Sequence, residues 1–227
     1  EAMKKIGESV LKLKDSSGCI QRYADPSGEY VGASTEHNID AFVFFDYMAN
    51  KLQGQDAQKY QTSAEKVKRW LVRIGYNNNS GRFTRGEWPD RQTDYAMATD
   101  AQAWALSIAD KIGMTRDQKL LVLASLFTTG SNISIDYNGY KAIQLFDFTD
   151  RAMRDRFRNG QQVGSSEWTA QVVNALRAMG RNDWADIYVQ ELDKLVVERN
   201  GVKGIVYATA PFNVSNPALP IASSGTI

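Results

Sequence analysis

Seven carboxylates sit where a protein can do proton chemistry on a substrate. Glu36, Asp40, Asp94, Asp100 and Glu167 lie at or near the starts of apolar runs, and Glu87 and Asp90 lie on an intervening loop. Glycoside hydrolysis with inversion requires one protonated carboxyl to donate to the leaving oxygen and one carboxylate to activate water, roughly 6.5 to 9.5 Å apart. Carboxylates on neighbouring helix starts can meet that spacing, which makes Glu36 the candidate acid and Asp100 or Asp94 the candidate base. The competing explanation for each is a first-turn acid that complements the positive end of a helix. Asp40 follows Glu36 by four residues, so both face one side of a helix, where like charges repel. A cation, a sugar hydroxyl or a metal would relieve that repulsion.

His37 is the only histidine among 227 residues. That removes His-rich zinc sites and leaves one candidate proton carrier, or else a structural hydrogen-bonding group. No Gly-x-Ser-x-Gly elbow supplies a serine nucleophile for it. No phosphate-cradling loop, dinucleotide fingerprint or calcium loop is present, so neither a cofactor nor a metal site is predicted. Asp136, Asp147, Asp150 and Asp155 read as a solvated surface. The single Cys19 excludes an internal disulfide and any multi-cysteine metal site.

Aromatic side chains supply flat faces on which pyranose rings stack. Trp88, Tyr23, Tyr30, Phe83, Tyr95 and Tyr207 fall in loops and are the better sugar platforms, whereas Trp104 and Trp168 fall at helical positions and read as core. Arg82, Arg85 and Arg91 either orient an acidic sugar or are solvated loop cations. The candidate substrate-binding set is therefore Asp40, Asn38, Trp88, Arg85, Tyr95, Glu167 and Tyr207.

The elements that must position these groups follow from periodicity. Apolar positions three and four apart predict helices at Ala2 to Lys14, Ile39 to Leu52, Ala57 to Gly75, Ala101 to Ile112, Thr115 to Phe127, Trp168 to Met179 and Asp183 to Glu198, with another at Lys141 to Arg158. Four of the runs open alike, at Ser34-Thr35-Glu36, Thr99-Asp100, Ser165-Ser166-Glu167 and Ser223-Ser224. The successive intervals from Thr35 to Thr99, from Thr99 to Ser166 and from Ser166 to Ser224 are 64, 67 and 58 residues. A hydroxyl cap followed by an acid satisfies free amide groups at a helix start. Glycines precede short alternating stretches at Gly18-Cys19-Ile20, Gly81-Arg82-Phe83 and Gly204-Ile205-Val206, suggesting small strands in the loops. The repeated unit is helix, helix, loop, and equivalent helix ends should share one rim. No recurrent run of branched residues supports a parallel sheet.

Composition sets outer bounds. With 43% apolar and 23% charged residues the chain can bury one sizeable core, and the expected organisation is a single domain over residues 1–227, incomplete at one or both ends. Its 27 basic and 26 acidic residues leave a formal charge of +1, so no strong field recruits nucleic acid or an anionic membrane. No apolar run approaches the roughly 18 residues that span a bilayer, and Glu1 to Val10 lack signal-peptide character. Starting on Glu, the sequence reads as a processed or trimmed fragment.

Together Ser34-Thr35-Glu36-His37-Asn38-Ile39-Asp40, Thr99-Asp100-Ala101-Gln102-Ala103-Trp104-Ala105, Glu167-Trp168-Thr169-Ala170-Gln171 and Ala222-Ser223-Ser224-Gly225-Thr226 resemble the α/α toroid, or six-hairpin glycosidase-like, class of carbohydrate-active proteins. The resemblance covers about residues 30–227. It implies an all-α fold of helical hairpins forming all or part of a ring, with short strands in the loops. It also implies a sugar site in a pit where the inner helices begin, and favours an extracellular or periplasmic location. A full ring has twelve helices against about eight here, so a further chain or segment completing it is an expected partner besides the carbohydrate. Three activities remain open: an inverting glycoside hydrolase, a non-catalytic glycan-binding scaffold on the same fold, and a polysaccharide lyase using His37, Tyr95 and Arg85.

Overall fold

Densely apolar runs alternating with amphipathic ones fold into helical hairpins in the computed structural model, which describes residues 2–210. Contacts divide the chain into two units. The first is the chain up to Tyr95 together with Asp110–Met114, and the second is Ala96–Ala109 together with the chain from Thr115 onward.

The first unit opens with α1 (Ala2–Leu11), strand β1 (Ala33–Ser34), α2 (Thr35–Lys51) and α3 (Gly54–Trp70). Ile39, Phe42, Phe45 and Met48 of α2 and Tyr60, Ala64, Val67 and Trp70 of α3 recur at helical spacing and are buried. The Phe45 and Tyr60 rings lie 5.9 Å apart between the two helices. On α1, a side chain at Gly7 would begin 2.2 Å from the Tyr60 hydroxyl, so this approach requires glycine. Beyond Trp70 the helix widens into one π turn over Leu71–Gly75. Four short strands follow: β2 (Tyr76–Asn77), β3 (Arg82–Phe83), β4 (Gly86–Glu87) and β5 (Thr93–Asp94). Strands β2 and β3 form a hairpin, and β4 lies between β1 and β5 in an antiparallel sheet, with Ala33 opposite Glu87 and Gly86 opposite both Ser34 and Asp94. The predicted helix over Ala57 to Gly75 is thus an α-helix that ends in a π turn.

In the second unit α4 (Thr99–Ser107) stops at Ile108, where the predicted longer helix breaks; the single turn α5 (Ala109–Ile112) follows in sequence, with Asp110–Ile112 counted in the first unit. Helix α6 (Arg116–Thr128) has a complete capping box, with Thr115 and Gln118 satisfying each other's amides. The segment read as a helix from Lys141 is instead the second strand of a hairpin, β6 (Asn132–Tyr137) and β7 (Tyr140–Phe146), followed by α7 (Arg151–Arg158). Helices α8 (Ser166–Ala178) and α9 (Asn182–Asp193) form the last described pair, and a second hairpin, β8 (Val196–Arg199) and β9 (Val202–Ile205), replaces the predicted end of α9. Helix α8 packs on α4 and α9. Ile133, Ile143, Leu145 and Leu195 make one buried cluster, and Phe148, Val163 and Trp168 another.

The repeated helix starts are held differently from expectation. Ser34 makes no side-chain cap and Ala98 has no hydroxyl to offer, so of the three described starts only Ser165 caps its helix, accepting from the Trp168 amide. What recurs is a main-chain bond. The first amide of each helix donates to a carbonyl in the loop after the hairpin: Thr35 to Arg85 at 2.9 Å, Thr99 to Phe148 at 3.1 Å and Ser166 to Tyr207 at 3.0 Å. The next residue of each loop bridges the residue ahead of the helix, pairing Gly86 with Ser34, Thr149 with Ala98 and Ala208 with Ser165. The fourth start, Ser223-Ser224, lies outside the described residues.

Candidate functional site

The start of α2 carries the densest polar chemistry of the first unit. Glu36 is half-buried, while His37 and Asp40 are exposed. Although Asp40 is exposed, nearby protein partly desolvates its carboxyl and raises it from its ordinary value, and the Glu36 charge adds to that while His37 opposes it. The interaction of Glu36 with Asp40 is the one their spacing predicts. Asn38, between them, is fully buried. Its Oδ1 accepts from the Ile20 amide at 2.8 Å, and its Nδ2 donates to the Ile20 and Ser34 carbonyls at 2.9 and 2.8 Å. Expected as a sugar ligand, Asn38 instead ties the 20s loop to the helix start.

The other expected site residues of this unit separate into inner and outer positions. Arg85 and Asp94 are buried, and the guanidinium binds one carboxylate oxygen twice, through Nε at 2.7 Å and Nη2 at 2.6 Å. Asp94 is thus engaged in a buried ion pair, not presented at an open helix start, and Arg85 is committed to it instead of standing as a sugar clamp. Trp88 is half-buried, with the Arg22 and Arg85 guanidinium carbons 5.3 and 5.6 Å from its ring centre. Tyr23 and Tyr95 are exposed and Phe83 is core. Arg91 is exposed but engaged: it binds Asp15 at 2.7 Å and lies over the Tyr30 ring.

In the second unit the residue after each first helical position meets two fates. Asp100 is buried, with Oδ1 accepting from the Ala101 amide at 2.6 Å, whereas Glu167 is exposed and accepts from Gln171. The Tyr207 carbonyl takes the Ser166 amide, and its half-buried ring lies 6.2 Å from Phe148. Trp168 is core as expected, but Trp104 is 36% exposed. Asp147 and Asp150 are not surface acids: Asp150 caps α7, and Asp147 is fully buried against Arg154, Arg158 and the Val163 amide.

Among the described residues no group of three His, Cys, Asp or Glu side chains could hold a metal. Cys19 is buried, which raises its thiol to about 11 and leaves it unreactive. Glu87 is the residue whose setting the sequence did not expose. Only pairing with Ala33 brings its carboxylate to the Trp70 indole and the Tyr30 hydroxyl, and no local pattern announces that.

No family model matches the chain, and no curated protein matches it in sequence. Solved structures do match. An unsaturated glucuronyl hydrolase from Bacillus sp. GL1, described as responsible for glycosaminoglycan degradation, is 11% identical, with a TM-score of 0.56 over 87% of this chain and 56% of its own. Cellobiose 2-epimerase from Bacillus thermoamylovorans is 15% identical, with a TM-score of 0.56 over 85% of this chain and 53% of its own. An unsaturated glucuronyl hydrolase from Streptococcus agalactiae is 10% identical, with a TM-score of 0.57 over 92% and 57%. These are α/α toroid, six-hairpin glycosidase-like proteins, so the fold here is that of part of such a toroid. The chain spans a little over half the length of the structures it matches.

Proposed function

We propose that this protein acts on carbohydrate as a glycoside hydrolase, with the Glu36 and Asp40 pair at the start of α2 as its chemical centre. The observation that carries this reading is the placement of Glu36 and Asp40 one turn apart at the start of α2, where desolvation and the Glu36 charge raise the Asp40 carboxyl. A carboxyl that holds its proton more tightly than usual suits a general acid, and an adjacent carboxylate is what activates water. Asp40 protonates the departing glycosidic oxygen while Glu36, the acid by sequence alone, takes the proton of the attacking water, the base role that sequence gave to Asp94 or Asp100. Neighbours described as a glucuronyl hydrolase and a cellobiose epimerase support a sugar as substrate.

Hydrolysis of a panel of neutral and acidic oligosaccharides, followed by proton NMR of the first-formed anomer, tests the proposal. Release of the inverted anomer, lost in Asp40→Asn and Glu36→Gln with the fold intact, is the expected result. A retained anomer, or cleavage undiminished in both variants, overturns it.

A second reading is glycan binding without catalysis. Its support is the engagement of two expected bases, Asp94 by Arg85 and Asp100 by the Ala101 amide. Saturable glycan binding with no product after prolonged incubation favours it. The lyase reading loses its charge neutraliser, because Arg85 is committed to Asp94.

A further inference from the structure

Behind the π turn of α3 lies a cleft of about 470 Å³, lined by residues of the first unit that include Arg73, Tyr76, Asn77, Thr84, Glu87 and Tyr95. Its volume falls in the range of small-ligand sites. Two features of its inner wall look for a partner. Thr84 is 2% exposed, and its hydroxyl has no hydrogen-bond partner among the described residues. Glu87 is 5% exposed, and both of its donors, the Trp70 indole at 2.8 Å and the Tyr30 hydroxyl at 3.2 Å, reach the same oxygen, Oε2. Oε1 takes neither of these bonds and stays available to a hydroxyl donor in the cleft. The buried Thr84 hydroxyl, without a partner, costs free energy that a ligand can recover.

The geometry points to a binding site for a neutral glycosyl unit in this cleft. The inner wall offers an acceptor, Glu87 Oε1, and a hydroxyl, Thr84 Oγ1, which suit a ligand that brings hydroxyl donors. The same carboxylate repels an anion, so a uronate is rejected at that wall. Tyr95, 62% exposed at the edge, gives a flat face for a pyranose ring. Exposed Arg73 at the rim disfavours a cationic ligand. The ligand class deepens the proposed action on carbohydrate and rests on it, but the site does not use Glu36 or Asp40.

The test is calorimetric titration of the full chain with cellotriose, mannotriose and maltotriose, and with trigalacturonate as the acidic counterpart. At least one neutral trisaccharide should bind, with trigalacturonate weaker by about 10-fold or more, as expected for a carboxylate facing a buried carboxylate. Thr84→Val keeps the shape and the main-chain bond from the Thr84 amide to the Gly75 carbonyl, and should weaken binding about 5-fold. Tyr95→Ala changes an exposed side chain and should weaken binding about 10-fold. Glu87→Gln presents an amide where Oε1 stood and should abolish the preference for neutral sugars. Failure of every neutral trisaccharide to bind, tighter binding of trigalacturonate, or undiminished binding in both Thr84→Val and Tyr95→Ala overturns the inference. Asp40→Asn separates the two proposals, because it should stop hydrolysis and leave this affinity unchanged.

Discussion

The amide of Thr35 donates to the carbonyl of Arg85 across 2.9 Å, and the equivalent bond recurs between Thr99 and Phe148 and between Ser166 and Tyr207. Each bond satisfies a helix amide that would otherwise lack a partner and fastens the following loop to the helix start. The loop residue after the acceptor must therefore run close to the chain ahead of the helix. At Gly86 this approach is closest: a side chain there would begin 1.9 Å from the Ala33 carbonyl oxygen, with φ at +149°.

Gly86→Ala should accordingly force β1 and β4 apart, costing roughly 2–4 kcal/mol through steric overlap and backbone strain. Urea unfolding measures this directly. The equivalent positions already carry side chains, so Ala208→Ser should be nearly neutral. A Gly86→Ala loss below about 0.5 kcal/mol would contradict the close approach.

Asp94 was expected to be a catalytic base, and the structure makes it the buried partner of Arg85. Removing one member of a buried pair leaves the other charge uncompensated, at a cost of about 3–5 kcal/mol. Asp94→Asn should lower stability by that order, whereas any glycan turnover per folded molecule should change little. Unfolding midpoints and initial rates on the same preparations distinguish the two roles. A stable variant with abolished turnover would return Asp94 to the chemistry.

Much of the helical architecture was legible because the core faces of α2, α3 and α8 recur at three and four residues, and tertiary packing reinforces that period. The two missed hairpins had their own signals. Asn138-Gly139 and Asn200-Gly201 adopt positive φ at both positions, and Asn-Gly between alternating residues favours a tight hairpin turn. Ile143 and Leu145 alternate with Ala142 and Gln144, a period of two that the following basic helix obscured. The helix starts were legible as a repeat but not in their cause, since a bond from Thr35 to a carbonyl fifty positions away depends on tertiary pairing. Glu36 and Asp40 were legible as neighbours. The Glu87 setting and the Arg85 to Asp94 pair were not, because burial there is decided by strands two residues long.

The raised Asp40 carboxyl sets a pH dependence with a definite sign. The folded state holds its proton more tightly than the unfolded chain, so the stability linked to this group is present at low pH and is lost as pH rises through the folded value. Asp40→Asn removes the desolvated charge and the repulsion with Glu36. It should be more stable than the parent at pH 7 and lose that advantage below about pH 4. Because Asp40 is exposed, the gain should stay under about 1 kcal/mol. Thermal unfolding of both proteins from pH 3 to pH 8 checks this, and an Asn variant less stable at pH 7 would reverse the sign. In the proposed reaction the same substitution removes the proton donor, so turnover should fall about 10²-fold or more while stability rises.

Asp147 makes the corresponding case in the second unit. It is fully buried, and burial pushes its carboxyl up while Arg158, the Val163 amide and Arg154 pull it down. Two arginines share one carboxylate, and the Arg154 Nε and Arg158 Nη1 atoms are buried without hydrogen-bond partners among the described residues. Asp147→Asn would leave two guanidinium groups facing a neutral amide, at a cost of about 3–5 kcal/mol. If mutual repulsion of the arginines is the main penalty, Arg158→Met in the Asp147→Asn background should recover part of the loss, a coupling that a double-mutant cycle reads. Strict additivity of the two substitutions would show that Asp147 acts chiefly through the Val163 amide, at 3.0 Å, and not through the arginines.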